Sequence, residues 1–397
     1  MILDKSIRKQ SLLFLFSITL ERIGFYGVRA IMVIYMISPT FNMTNAESMN
    51  VYAWFFSLLV IAKAIGALLG DFIIGNRKSI IFGGITQAVG SFLLCIPSIY
   101  ALYLGLFLII LGGGLYSSNL TANYGKLHLN QPKLLDSKFT LLYLFTNIGA
   151  FVGAFAIGFL AEKQSFSLGF MIAGITFLLS TITVIKTKEE KNTTFKSDNA
   201  SPNKILLYII FVLLLIAFFK GFHNISLMGF YDIDLMFKQN LSSNISQSIL
   251  SQLDLIYYIP ISLALFYFWS KFYYNRLYKI ISAFVFGAIS FLIILLLQDD
   301  LTQSNVILFL ISLFFLHLSE IHITPIINST LTQYSNTKYL ASFISISTIF
   351  TSFMAMLLYS FGEKFYVNNT LSLYIGIVGM LILAIVTAIY ARRGKFN

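Results

Sequence analysis

Residues 186–204 read KTKEEKNTTFKSDNASPNK and form the longest polar interruption in a chain of 397 residues. The segment is charged and rich in Ser and Asn, which is typical of a linker. On both sides the sequence consists mainly of apolar runs of roughly 20 residues, long enough for an α-helix to cross the hydrocarbon core of a bilayer. This pattern predicts two blocks of membrane helices, residues 1–185 and 205–397, joined by a linker at 186–204.

The composition excludes a water-soluble domain, because 57% of the residues are hydrophobic, 11% are charged and the mean hydropathy is +0.82. The apolar runs are continuous rather than alternating, which favours α-helices over a β-barrel. We therefore predict an all-α membrane protein with twelve transmembrane helices, six in each block. The predicted spans are 11–37, 51–74, 79–98, 101–122, 139–161, 168–185, 205–230, 249–269, 277–297, 305–329, 339–361 and 371–391.

The distribution of basic residues predicts the orientation. Of the 27 Lys and Arg residues, 20 lie in segments on the same side as the N-terminus, 3 lie on the opposite side and 4 lie within the helices. The positive-inside rule then places both termini in the cytoplasm of a multi-pass protein of the bacterial inner membrane. The net charge of +11 reports this topology and does not indicate a nucleic-acid partner.

Seven formally charged residues lie within the predicted helices, away from their ends. They are Glu21, Arg22, Arg29, Lys63, Lys220, Asp254 and Glu320. An unpaired charge at the bilayer centre costs about 2.5–3.5 kcal/mol, so these groups must pair with one another or face water. They indicate either a polar ligand pathway or structural ion pairs between helices.

Two other patterns carry less chemistry. His317 and His322 do not lie on one helix face, so no metal site is predicted. Gly112-Gly113-Gly114 has no preceding strand and no following Lys-Ser/Thr, so it indicates close helix packing rather than a phosphate cradle.

Five segments resemble, in the same order, motifs of the proton-dependent oligopeptide transporter family of the major facilitator superfamily. ERIGFYGVR at 21–29 resembles the first-helix signature, and GALLGD at 66–71 with GNRKSI at 75–80 resembles the loop between the second and third helices. The segment 139–150, which contains FTLLY and NIGA, resembles the fifth-helix motif, Phe218-Phe219 with Asn224 resembles the seventh, and SEIHITP at 319–325 resembles the tenth.

This resemblance implies two six-helix bundles, alternating access, and proton-coupled uptake of di- and tripeptides or amino acids. By similarity, the proton-coupling candidates are Glu21, Arg22, Arg29 and Glu320. The implied contacts to substrate are Tyr26, Arg29, Asn147 and Glu320, and the loop motif that gates the transporter comprises Gly66, Asp71, Gly75 and Arg77.

The chain also departs from the family pattern. The first glutamate of the signature falls on Ile18, and the fourth-helix lysine falls on Ser117. The seventh-helix glutamate aligns with His223 and the eighth-helix asparagine with Asp254. The groups that can replace the missing lysine or acid, and that we add to the predicted substrate-binding residues, are Lys63, Lys220, His223 and Asp254.

The leading interpretation is a secondary active transporter, not an enzyme, because no nucleophile paired with a base is visible. It predicts a small zwitterionic substrate, protons and the lipid bilayer as partners, a monomer, and no cofactor besides the proton gradient. Two alternatives stay open: a facilitator or exporter of another small polar metabolite or drug, and a non-transporting membrane sensor.

Overall fold

The computed structural model describes residues 5–189, 202–241, 253–297, 303–364 and 369–393. Side chains at 228–241, 253–256, 303, 361–364, 369 and 393 lie outside the description. Every regular element in the described ranges is helical, which confirms the predicted all-α class.

Twelve long helices follow one another along these ranges, with α5 continuing through a π-turn at Gly153–Ile157 into Gly158–Lys163. They are α1 (Lys5–Ile37), α2 (Asn45–Leu69), α3 (Asn76–Leu93), α4 (Ile99–His128), α5 (Leu135–Val152 and its continuation), α6 (Phe166–Ile185), α7 (Pro202–Leu241), α8 (Leu253–Lys271), α9 (Arg276–Leu295), α10 (Gln303–Tyr334), α11 (Leu340–Lys364) and α12 (Asn369–Arg393).

Ten of these helices are long and apolar enough to cross a membrane, within the described residues. The two others are α3 and α8. In α3 the buried residues include Gln87 and Ser91, and the hydroxyl of Ser91 donates to the carbonyl of Phe170 in α6 at 2.7 Å. Neighbouring helices therefore cover polar groups that lower the hydropathy of α3.

Several helices extend beyond the predicted spans, because polar residues complete their ends. α2 begins at Asn45, since Thr44 and Glu47 form a reciprocal capping box that satisfies backbone amides of the first turn. α4 extends to His128, six residues past the predicted end, and its last turns are buried. There His128 Nε2 lies 3.1 Å from the hydroxyl of Ser11 in α1.

The chain divides into two compact units. Unit 1 comprises Met1–Pro132, Leu142–Lys196 and Leu331–Ile346, and unit 2 comprises Lys133–Leu141, Ser197–Thr330 and Ser347–Asn397. Each unit is thus one side of the predicted linker plus a short segment from the other side. These exchanged segments include the first turns of α5 and of α11.

Buried aromatic and aliphatic side chains form the core of unit 1 between α1, α2, α4 and α6. Its members include Phe25, Met32, Phe55, Ile109 and Phe177. The outward surface is also apolar. Trp54 is 66% exposed and Ile73 is 76% exposed, which suits contact with lipid chains rather than water.

Candidate functional site

A buried acid with polar neighbours lies at the contact of α1, α3 and α4 in unit 1. Glu21 is 1% exposed and lies 3.2 Å from Arg22 Nε. Gln87 Nε2 donates to Glu21 Oε1 at 3.0 Å, and Arg22 Nη2 donates to Ser117 Oγ at 3.2 Å. We call these four residues the Glu21 site. Ser117 occupies the position of the family lysine in the resemblance, and here its hydroxyl accepts a hydrogen bond from the guanidinium.

Arg29, seven residues after Arg22 in α1, is exposed. Arg29 Nε donates to the phenol oxygen of Tyr52 in α2 at 2.9 Å. Its guanidinium carbon also lies 5.5 Å from the ring centre of Tyr26 and 5.1 Å from that of Phe56, which are cation–π distances. This arrangement, the Arg29 site, holds the guanidinium while leaving donors for an anionic ligand.

Two further predicted contact residues of unit 1 lie on α5 and α2. Asn147 is 8% exposed, and its Nδ2 donates to the carbonyl of Tyr143 one turn earlier in α5 at 3.0 Å. Lys63 is half-buried on α2. Ile18, in place of the first glutamate of the family signature, is an apolar core residue with 3% exposure.

In unit 2 the predicted coupling acid has several polar partners. Glu320 Oε1 lies 3.3 Å from His223 Nε2 of α7, and the phenol of Tyr258 in α8 donates to Glu320 Oε2. His317, one turn earlier in α10, places its Nδ1 3.9 Å from the same oxygen. We call Glu320, His223, Tyr258 and His317 the Glu320 site. The histidine that replaces the seventh-helix glutamate therefore contacts the tenth-helix acid directly.

Lys220 extends the Glu320 site by one turn of α7. Its Nζ lies 3.4 Å from Thr351 Oγ1 in α11, and its charge interacts with that of Glu320. The predicted Lys220, His223 and Glu320 thus belong to one cluster. Asp254 was predicted beside them, but its side chain lies outside the described residues.

The loop motif after α2 has a defined backbone conformation. Gly66 lies against α4 so closely that a Cβ would overlap the carbonyl oxygen of Gly114. Gly75 has φ +91°, a conformation that L side chains rarely adopt, and this residue separates a π-turn at Gly70–Ile74 from α3. Arg77 Nη2 donates to the carbonyl of Ile185 at the end of α6 at 2.6 Å.

Asp71 of this motif binds the start of α11. Its Oδ2 accepts from the backbone amide of Ser342 at 2.7 Å and from the Ser342 hydroxyl at 2.8 Å, while Oδ1 accepts from Asn76 at 2.8 Å. A carboxylate at a helix N-terminus satisfies an unpaired amide and complements the helix dipole. The loop motif and α11 are therefore joined by an acidic cap.

A second buried carboxylate with several hydrogen-bond donors lies at the start of α5, inside unit 2. Asp136 Oδ1 accepts from Arg276 Nε at 2.8 Å and from the Ser329 hydroxyl at 2.6 Å, and Oδ2 accepts from Lys279 Nζ at 2.6 Å. All four side chains are buried. We call them the Asp136 cluster. It joins a residue that precedes the predicted linker to residues that follow it.

Comparison with known sequences places the fold in a family. The sequence profile of the Major Facilitator Superfamily matches residues 14–358, which is most of the chain. The chain belongs to the Major Facilitator Superfamily. Its members are membrane transporters, and the helical architecture described above is the one expected of the superfamily.

Relatives within the superfamily confirm the resemblance to peptide transporters. Dipeptide and tripeptide permease A of Cronobacter turicensis is 32% identical over 214 residues, which cover 52% of this chain and 43% of the relative. The protein of the same name in Serratia proteamaculans is 30% identical over 209 residues, covering 51% and 41%. The matches thus span less than half the length of these curated relatives.

Solved structures agree on the fold. A peptide transporter of the POT family crystallised with sulfate superposes with a TM-score of 0.66 at 19% identity, covering 97% of this chain and 94% of the other. A POT family transporter in complex with 5-aminolevulinic acid also gives 0.66 at 15% identity, covering 98% and 99%.

Several residues of the Glu21, Arg29 and Glu320 sites and of the Asp136 cluster were not predicted from the sequence. That reasoning selected formal charges within predicted spans, so it passed over the neutral partners Gln87, Tyr52 and Tyr258. A polar amide within an otherwise apolar run was the available signal for Gln87. Asp136 was missed because it lies between the predicted spans 101–122 and 139–161.

The described residues contain no group of three His, Cys, Asp or Glu side chains arranged to hold a metal ion. His317 and His322 diverge in the structure. His317 packs on the ring of Tyr258 with a centroid distance of 4.4 Å, whereas His322 packs edge-on against Trp269 at 5.3 Å.

Proposed function

We propose that the protein is a proton-coupled carrier that takes up di- and tripeptides or amino acids across the bacterial inner membrane. The observation that carries the proposal is the Arg29 site, an exposed guanidinium held by Tyr52 between two aromatic rings. Such a group can bind a carboxylate through two parallel hydrogen bonds, which suits the C-terminus of a short peptide. The names of the curated relatives support the same substrate class.

The Glu320 site supplies groups suited to the other end of a zwitterion. Glu320 is ionisable and can bind an ammonium group, and His223 and Tyr258 can rearrange their hydrogen bonds when it does. Lys220 adds a cation to the same cluster. We assign Glu21, Arg22, Arg29 and Glu320 to proton coupling, and Tyr26, Asn147, Lys63, Lys220, His223 and Asp254, together with Arg29 and Glu320, to substrate binding.

Alternating access is proposed to proceed by movement of residues 1–185 against residues 205–397, with 186–204 as the linker and with both termini in the cytoplasm. The Asp71–Ser342 and Asp136–Arg276 contacts each join these two halves of the sequence. Both lie at helix ends that the basic residues predict to be cytoplasmic. Opening toward the cytoplasm therefore requires both contacts to break, which makes Gly66, Asp71, Gly75 and Arg77 part of a gate.

One proton per substrate is energetically sufficient. A membrane potential of 100 mV contributes about 2.3 kcal/mol per charge, and one unit of pH contributes about 1.4 kcal/mol. Together these terms sustain accumulation on the order of 500-fold. The proposed carrier acts as a monomer, has substrate, protons and lipid as its partners, and uses no cofactor.

Uptake by purified protein in liposomes tests the proposal. We expect labelled dipeptides or amino acids to accumulate only when an inward proton gradient is imposed. Glu320→Gln should abolish accumulation, and Glu162→Gln, which changes an exposed acid outside both sites, should leave accumulation unchanged. Uptake that ignores the gradient would instead identify a facilitator. Binding in a thermal-shift screen without any uptake would identify a sensor.

A further inference from the structure

Gln87 is the neutral partner of the buried acid in the Glu21 site. Its side chain is 0% exposed, and Nε2 donates to Glu21 Oε1 at 3.0 Å. Among the described residues, Gln87 Oε1 has no hydrogen-bond partner, and neither has Glu21 Oε2, although the latter lies 3.2 Å from Arg22 Nε. The amide therefore faces the carboxyl group with one donor engaged and one acceptor unused.

The triple glycine of α4 provides the room that this amide occupies. A Cβ on Gly112 would lie 2.7 Å from Gln87 Cγ, and a Cβ on Gly113 would lie 3.3 Å from Gln87 Nε2. Both distances are shorter than ordinary van der Waals contact. A Cβ at either position would press on Gln87, so these two glycines leave room for its side chain beside Glu21.

A carboxamide suits an acid that changes its protonation state. The amide nitrogen donates to a carboxylate, and the amide oxygen accepts from the protonated acid after a half-turn of the terminal torsion. Arg22 cannot serve both states, because a guanidinium has donors only. A buried polar group left without a partner costs stability, so an acid that gains and loses a proton in a closed site needs a neighbour of this kind.

We propose that Gln87 is a positioning residue for the transported proton, which resides on a carboxyl oxygen of Glu21. The proton joins Glu21 when the site is open to one side of the membrane and leaves it when open to the other, and Gln87 itself gains and loses none. This inference rests on the proposed function, in which Glu21 takes part in coupling. It adds α3, whose predicted site residue Arg77 belongs to the gate, to the coupling machinery.

The charged and titratable neighbours of Glu21 come from two helices. Arg22 of α1 forms the ion pair, and Tyr116 of α4 interacts electrostatically with Glu21 while its hydroxyl lies 2.6 Å from those of Ser17 and Ser180. Gln87 of α3 and Ser180 of α6 are neutral. Removing the Gln87 amide leaves the charges unchanged and removes one donor to the ionised acid.

The test is the pH dependence of proton-driven uptake by Gln87→Leu in liposomes. The donor to the carboxylate forms a charge-assisted hydrogen bond, so its loss costs the ionised acid more than loss of the acceptor costs the protonated acid. We therefore expect the uptake profile to move up by about one pH unit. Substrate exchange at equilibrium, which needs no net proton movement, should stay within about twofold of wild type. Ser91→Ala, which removes another buried hydrogen bond of α3, is the matched control and should leave the profile in place.

Gln87→Met provides a second test with an unbranched apolar side chain of similar length. A Gln87→Leu or Gln87→Met profile that superposes on wild type, while Glu21→Gln abolishes accumulation, would overturn the role of Gln87 and leave the proposed function standing. Failure of both variants to fold would show that Gln87 is a packing residue. Accumulation that survives Glu21→Gln would overturn the coupling role of Glu21 itself.

Discussion

Replacing Asp136 by alanine removes the only acid of the Asp136 cluster and leaves two buried cations facing each other. In the native protein the side chains of Arg276 and Lys279 are 8% and 4% exposed, and the carboxylate of Asp136, which is 3% exposed, binds both of them. The ammonium of Lys279 also lies 4.4 Å from the ring centre of Trp269. Without the carboxylate, neither cation can reach water without movement of the helix ends that bury it.

The expected cost follows from this burial. Breaking a buried ion pair by removing one partner costs about 3–5 kcal/mol, because the remaining charge stays desolvated. For a chain of this size, such a loss lowers the melting temperature by roughly 4–6 °C. Ser329→Ala removes one hydrogen bond to the same carboxylate and should cost less, about 1.5–3 kcal/mol.

Thermal unfolding of purified protein in detergent, followed by intrinsic fluorescence, measures this effect. The informative control removes all three charges at once, as Asp136→Leu with Arg276→Met and Lys279→Met. Replacing a whole buried ion group by apolar residues is often neutral or stabilising, so this triple variant should melt well above Asp136→Ala. A melting temperature for Asp136→Ala within about 2 °C of wild type would refute the reasoning, as would a triple variant no more stable than the single one.

Three further predictions concern the other sites. Arg29→Lys keeps the charge but loses the Nε–H donated to Tyr52, so we expect KM for a dipeptide to rise at least tenfold with an unchanged melting temperature. A KM within twofold of wild type would exclude Arg29 as the carboxylate site. Gly66→Ala should lower the melting temperature, because its Cβ would overlap the Gly114 carbonyl. Gly158→Ala should not, because the nearest atom to its Cβ would be 3.9 Å away, and equal effects of the two variants would contradict the packing argument. Asp71→Asn removes the charge at the start of α11, which is worth about 1 kcal/mol, so hydrogen exchange of the Ser342 amide, measured by mass spectrometry, should become roughly fivefold faster. Unchanged protection of this amide would show that the cap contributes little.

The two acids proposed to couple protons illustrate which parts of the site were predictable. Glu21 and Glu320 stand out in the sequence because a charge within an apolar run is costly unless it has a partner. His317 follows from the sequence, because it lies one turn before Glu320 on the same helix. The partners on other helices do not stand out, because Gln87 and Tyr258 carry no obligatory charge and such residues occur throughout membrane helices. Which neutral side chain meets which acid depends on how the helices are rotated, and hydropathy does not encode that rotation.

The sequence by itself determined the all-α membrane class, the positions of most helices and the family resemblance. These features depend on local quantities, namely the length of apolar runs, the cost of burying backbone polar groups in lipid, and short motifs such as residues 21–29. The tertiary structure alone decided that Asp136 binds Arg276 and Lys279, that Asp71 caps α11, and that the triple glycine makes room for Gln87. Each of these contacts joins residues far apart in the chain, and only the packing of one helix against another brings their atoms within hydrogen-bond distance.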